Sequence, residues 1–331
     1  MESHMNLHKD KKLFEQAIRF TADKMKIRSI YVEKDYWVTL ALYKIHQNTI
    51  GKDVVFKGGT ALSKCYKLIE RFSEDIDLVV LRNENETDSK LKTKLKAVSL
   101  AIEDELPEIE VDGITKKMGM NRKTAHFYNK LFKGDFGQVR DFIVLESSWL
   151  GHHEPFSKRK IQSLIGEVLE KDNQIDNVNN FGIQAFEMNV LEPSRTICEK
   201  IMSLVKFSYT ENPIQDLKNK IRHPYDLHQL LQQPEFIEFV ESEDFTKMLL
   251  KVAEDDVKSF RNNNEWLSNH PNESLFFKKI DDIWKKELVP TYENDFVNLL
   301  YGQLPDENEV LNTIKFLKER MEKIEWNITT K

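Results

Sequence analysis

Apolar residues recur at helical spacing through residues 10–29, where Leu13, Ile18 and Phe20 mark one face, and through 32–47, where Trp37, Leu40, Leu42 and Ile45 do. Both stretches predict amphipathic helices. The period then shortens. Asp53 to Lys57 reads as a buried strand running into Gly58-Gly59, Thr60 to Glu70 as a helix, and Ile76 to Leu81 as the next strand. After a polar break at Asn83 to Asp88, a helix is expected over 89–106. Strands are expected over Glu108–Lys117, Thr124–Phe132 and Val139–Ser147. From about Pro193 the pattern is helical, through Thr196–Ser208, Tyr225–Gln232, Glu235–Glu254 and Glu307–Lys323. The predicted class is α+β: a domain over residues 6–188, with a mixed sheet and flanking helices, followed by an all-α domain over 189–331.

At 331 residues the chain exceeds the usual size of one domain, and 40% hydrophobic residues suffice to bury a core. No apolar run reaches the roughly 18 residues that span a bilayer, and no signal-peptide segment opens the chain. A cytoplasmic protein with no membrane partner is expected, and MESHM reads as a tag remnant before a natural start at Met5. Cys65 and Cys198 fit neither a disulfide framework nor a zinc pattern, so both are expected to be packed thiols. Adjacent His152 and His153 point apart on any regular backbone and are assigned to a loop. A formal charge of -6 argues against a surface that coats nucleic acid, but basic residues gather at 116–140, 158–160 and 218–223.

Chemistry concentrates in FKGGTALSKCYKLIERFSEDIDLVV, residues 56–80. A strand that enters Gly-Gly and then opens a helix offers unpaired backbone N–H groups at a positive dipole end, which suits phosphate. Lys57, Gly58, Gly59, Thr60 and Ser63 are the candidate nucleotide-binding residues, although Gly-Gly alone is equally an ordinary tight turn. No lysine followed by serine or threonine comes after the glycines, so a Walker loop is excluded. Asp75 and Asp77, two apart in an extended segment, project to one face about 6.6 Å apart. Like charges so close repel unless a cation intervenes, and hard oxygen ligands suit Mg²⁺. Glycine turn, helix and carboxylate pair form the order of a nucleotidyltransferase, in which metal ions on a nucleoside triphosphate promote attack at the α-phosphate. A third carboxylate is wanted. In DFIVLESSW, Glu146 is preferred over Asp141 because, among apolar neighbours, it costs more to bury unpaired.

FKGGTALSKCY followed by FSEDIDL, preceded by VEKDYWVTLAL and followed by RTICEKIMSLV and RHPYDLHQL, resembles the AbiEii/AbiGii-type nucleotidyltransferase toxins of type IV toxin-antitoxin and abortive-infection systems. The resemblance covers about residues 30–230. It implies a polymerase-β-like nucleotidyltransferase domain joined to a helical domain, with the active site between them. By position it makes Asp75 and Asp77 the metal-binding pair, Lys200 the lysine of the helical motif and Asp226 the aspartate of the final motif. Lys200 would neutralise triphosphate charge; Asp226 would orient Lys200 or Arg222, or serve as a base. Glu33 to Trp37 resemble the family's N-terminal helix signature. The resemblance further implies Mg²⁺, an NTP substrate, an RNA acceptor with the tRNA 3′ end foremost, and a cognate antitoxin encoded nearby. Two other readings stay open: transfer to a protein or small molecule, and nucleotide binding without turnover.

Overall fold

The structure is a computed structural model that describes residues 5–134, 139–149, 153–260 and 263–330. His152 and the MESHM remnant before Met5 lie outside the described residues. The chain divides into two compact units. The first comprises Met1–Lys67, Phe72–Trp149 and Phe156–Val190, the second Leu68–Arg71, Leu150–Pro155 and Leu191–Lys331. Among the described residues no helix is long and apolar enough to cross a membrane.

The first unit is built on a mixed sheet. Its strands are β1 (Val54–Lys57), β2 (Ile76–Val80), β3 (Glu108–Ile109), β4 (Lys116–Met118), β5 (Asn121–His126), β6 (Ile143–Ser148), β7 (Phe156–Ile161) and β8 (Phe186–Leu191). They run in the order β3-β5-β6-β2-β1-β8-β7, with β4 paired to β5. β1 is antiparallel to β2 and parallel to β8, while β2 is parallel to β6. The α+β expectation is met, but residues 156–191 hold two strands that the hydrophobic pattern leaves unmarked. Helices α1 (Lys11–Met25) and α2 (Ser29–Gln47) also belong to this unit. In α1 the buried stripe is Phe14, Ile18 and Ala22, and Leu13, expected inward, is 40% exposed.

Helix α2 departs from the amphipathic expectation because nearly its whole circumference is buried, Ile30 to Leu42 without a break. That run contains three consecutive charges, and each finds partners. The Glu33 carboxylate accepts from the backbone N–H groups of Leu131 (2.6 Å) and Phe132 (3.0 Å). Lys34 donates to the Arg140 carbonyl and pairs with Glu74. Asp35 accepts from Lys64 Nζ at 2.5 Å and from the Leu164 N–H at 2.7 Å. A buried charge without such partners would cost several kcal/mol, so these pairings make the burial of α2 possible. Tyr36 and Trp37 pack in the hydrophobic core beside Phe14 and Tyr128. They are not ligand-facing.

The helix expected over Thr60–Glu70 forms over Thr60–Tyr66 and ends four residues short. A single α turn, α3 (Gly58–Ala61), passes into one wide turn over Leu62–Tyr66 and stops at Lys67, whose φ is 56°. The following residues, Leu68–Arg71, belong to the second unit, where Tyr225 Oη receives the Glu70 N–H and the Tyr301 and Gly302 N–H groups donate to the Glu70 carbonyl. A Cβ on Gly302 would lie 2.0 Å from Glu70 Oε2, so this seat requires glycine. The rest of the second unit is helical. Its elements include α7 (Pro193–Phe207), α9 (Arg222–Leu230), α10 (Pro234–Glu241) and α11 (Glu243–Ser259), with α8 (Pro213–Lys218) between the first two, and a last helix over Glu307–Met321. Helices α4 (Asp88–Leu100), α5 (Leu164–Lys171) and α6 (Ile175–Asn180) lie in the first unit. Cys198 is buried and Cys65 half-buried, both free, and burial pushes the Cys65 thiol up to about 12.

Asp35→Asn leaves Lys64 buried without its counter-charge, and a loss of about 3 kcal/mol in chemical denaturation is expected. The double change Asp35→Leu with Lys64→Met, which removes both charges, is expected to cost less than Asp35→Asn alone.

Candidate active site

The strand registers place four charged side chains in one row across the sheet. Lys57 on β1 stands opposite Asp77 on β2, Asp77 stands beside Glu146 on β6, and Glu146 stands opposite Lys123 on β5. Directly paired residues share a sheet face, so two lysines flank two carboxylates. Glu146 is already neutralised: it accepts from Lys123 Nζ at 2.9 Å and from Asn121 Nδ2 at 3.1 Å. Burial raises its carboxyl, but Lys123 and Asn121 outweigh that and hold it below its ordinary range. The register puts Glu146 next to Asp77, yet the reason for preferring it fails, because it is neither unpaired nor surrounded by apolar groups. Asp77 has no comparable relief. Burial first, then the Asp75 and Glu146 carboxylates, push it up to about 7.

Gly58 adopts φ +82°, a region L side chains rarely enter, and a Cβ there would fall 2.4 Å from Asp77 Oδ2. The glycine turn and the carboxylate pair are therefore one packed unit, with the backbone of the turn seated directly against Asp77. The α turn that follows has only four residues. It continues into the wide turn over Leu62–Tyr66, so the helical segment behind the glycines ends at Tyr66.

Thr60 joins the turn to Asp75. It is buried, and its hydroxyl donates to the Asp75 carbonyl at 2.6 Å and lies 3.0 Å from Ser73 Oγ. The hydroxyl expected on phosphate is thus committed to holding the carboxylate segment in place. Ser63 Oγ likewise donates back to the Thr60 carbonyl, at 3.2 Å. Asp75 itself, about one-third exposed, accepts from Arg140 Nη1 at 2.8 Å. Glu74, almost fully buried, accepts the Arg140 N–H at 3.0 Å and pairs with Lys34. Neither Glu74 nor Arg140 was singled out from sequence as part of the site. The only signal was the run of acids SED just before Ile76.

In the second unit, Lys200 on α7 donates to Asp226 Oδ2 on α9 at 2.6 Å. Arg71 grips the same carboxylate with two prongs, Nε to Oδ1 and Nη2 to Oδ2, each at 2.7 Å. All three side chains are buried. Burial works against the Asp226 carboxylate, but Arg71 first and then Lys200 hold it well below the usual range. So weak a proton acceptor makes a poor general base. Its geometry is that of an anchor for Lys200, completed by Arg71. His223 Nδ1 lies 3.5 Å from Lys200 Nζ, and burial with that cation keeps its imidazole well below its ordinary value, hence neutral.

A family model described as nucleotidyl transferase AbiEii toxin, type IV toxin-antitoxin system, matches residues 40–310. The chain belongs to the AbiEii family. It is a nucleotidyltransferase of the toxin class, which implies an NTP substrate and an antitoxin partner. The match begins at residue 40, inside the 30–230 span of the motifs, and runs past it to include the segment that holds Tyr301 and Gly302. Among solved structures the chain is similar to MenT4, a nucleotidyltransferase toxin from Mycobacterium tuberculosis, at 16% identity, with 92% of each chain covered and a TM-score of 0.52. At that identity the likeness concerns the fold. No curated protein sequence matches the chain.

Among the described residues no group of three or more His, Cys, Asp or Glu is arranged to hold a metal ion, and Glu146 pairs with Lys123. Much of the basic stretch at 116–140 is engaged in ion pairs, while Lys116 and Lys133 are exposed. Lys117 and Arg122 pair with Glu108, Lys123 with Glu146, Lys130 with Asp141, and Arg140 with Asp75. Lys158, Arg159 and Lys160, on the terminal strand β7, are exposed, with Arg159 over the Tyr66 ring at 4.9 Å.

Gly58→Ala is expected to cut nucleotidyl transfer at least about 100-fold while the far-ultraviolet spectrum stays folded, since the new methyl group must displace Asp77 or the turn. Asp226→Asn leaves Arg71 and Lys200 without a counter-charge, with an expected loss of about 3 kcal/mol at neutral pH. Because Asp226 has a depressed folded-state pKa, its contribution is present above the unfolded value near 4 and is lost as pH falls. The stability gap between wild type and Asp226→Asn should be flat from pH 8 to 5 in urea titrations and shrink below about pH 4.

Proposed function

We propose that this AbiEii toxin transfers a nucleotide from an NTP to the 3′ end of an RNA, with tRNA the foremost acceptor, in a Mg²⁺-dependent reaction. The observation that carries the reading is the contact of Asp77 with the Gly58 backbone, which puts a glycine turn and two carboxylates at one point of the sheet. Mg²⁺ is commonly held by one or two carboxylates together with substrate phosphates rather than by an all-protein cage. Asp75 and Asp77 fit such an ion, and the mutual repulsion that raises Asp77 is what a divalent cation would relieve. When bound, the metal supplies Lewis-acid activation of the α-phosphate and stabilises departing pyrophosphate.

The residues of the chain divide the remaining work. Gly58 and Gly59 let the backbone approach the triphosphate, with Lys57 beside them as a cation, and Thr60 fixes the position of Asp75. The acceptor hydroxyl forms the new O–P bond at the α-phosphate as the α–β bridge breaks, and its proton leaves to solvent or a phosphate oxygen. Lys200, anchored by Asp226 and Arg71, carries the cationic role that the family resemblance assigns to it. Lys158 and Lys160, which share one face of β7, support a polyanionic acceptor.

The test is transfer of α-labelled ATP, GTP, CTP and UTP to total bacterial RNA with Mg²⁺, comparing wild type with the Asp75→Ala, Asp77→Ala double variant. Label on RNA that disappears in the variant, and that falls steeply with added salt, is the expected result. Label on protein or on a small solute would replace the acceptor, and no label from folded wild type would sink the reading.

A further inference from the structure

Arg140 is held by its backbone and leaves its side chain available. Its N–H is fixed to buried Glu74 at 3.0 Å and its carbonyl to buried Lys34, so its Cα is pinned by two charged groups that are themselves paired. The guanidinium is about one-third exposed and reaches Asp75 Oδ1 through Nη1 alone; Glu74 Oε1 stands at 3.6 Å. Nε and Nη2 meet no acceptor among the described residues. A rigid base carrying a half-open, two-pronged cation beside a carboxylate is more than an ion pair needs. Surface pairs of this kind contribute little to stability, whereas a planar guanidinium matches phosphate oxygens with paired donors.

We propose that Arg140 is a triphosphate-binding residue that exchanges partners during the reaction. In the free protein it neutralises Asp75. When the metal-nucleotide complex arrives, the Asp75 carboxylate turns to the cation and the Arg140 guanidinium passes to the phosphates of the NTP, its backbone staying fixed on Glu74 and Lys34. The inference rests on the NTP-dependent reading of the Asp75 and Asp77 site and adds to it a residue that both guards the metal position and recognises the incoming anion.

The experiment is calorimetric titration of wild type and Arg140→Gln with the α,β-methylene analogues of the four NTPs, once in Mg²⁺ and once in EDTA, together with the Mg²⁺ concentration that half-saturates transfer. Arg140→Gln is expected to weaken analogue binding about tenfold in Mg²⁺, as loss of a charge-assisted hydrogen bond does, and by less in EDTA, where Asp75 keeps the guanidinium. It should also lower the half-saturating Mg²⁺ several-fold, because Asp75 is no longer occupied. A Kd in Mg²⁺ within twofold of wild type overturns the phosphate contact, and an unchanged Mg²⁺ requirement overturns the exchange. If Arg140→Gln does not fold, Arg140→Lys, which keeps the charge but loses the fork, is read by the same criteria, with an expected loss of at least threefold. Wild type that binds no analogue at all would instead refute the NTP reading itself.

Discussion

Three adjacent charges buried on α2 hold the first unit together. Glu33, Lys34 and Asp35 point around the helix at successive angles of about 100° and therefore cannot reach one common partner. Each instead fastens a different segment: Glu33 the Leu131–Phe132 loop, Lys34 the Glu74–Arg140 corner, Asp35 the Lys64 turn and the start of α5. Backbone that would otherwise be loop is fixed to a core helix by groups too costly to leave unpaired. The carboxylate pair at Asp75 and Asp77 inherits its position from two of these fastenings. Glu74 is held from α2, and Lys64 is three residues beyond the end of the α turn Gly58–Ala61.

Against that frame the site itself is strained electrostatically. The sheet aligns Lys57, Asp77, Glu146 and Lys123 in one row, and the outer lysine satisfies Glu146 far better than any group satisfies Asp77. A carboxylate pushed up to about 7 beside a second carboxylate is a poor choice for stability. It is a reasonable one for the cation site proposed above, and such local cost is met by the well-satisfied charges around it.

The second unit applies the same logic with opposite sign. Asp226 is held between two cations, Arg71 and Lys200, next to a neutral His223. Arg71 comes from a four-residue segment inserted from the middle of the sheet unit's sequence, and Tyr225, Tyr301 and Gly302 hold that segment by its backbone. This seat is chemically constrained: a Cβ at Gly302 would fall 2.6 Å from the Glu70 Cβ, and a buried arginine needs its carboxylate.

The sequence by itself determined the α+β class, the strand that ends at the glycines, the strand that carries Asp77 and the family. Those features depend on local periodicity and on motifs whose residues lie close together in the chain. Tertiary structure decided what those residues do. Thr60 looked like a phosphate contact, but its hydroxyl is spent on the Asp75 carbonyl. Glu146 looked unpaired, but the β5–β6 register delivers Lys123 to it. Asp226 could have been a base until Arg71, 155 positions away, closed on it. The helix expected beyond Thr60 stops at Lys67 and the chain joins partners near its far end. In each case the deciding group is distant in sequence, and hydrogen bonds and ion pairs between such groups exist only once the chain has folded.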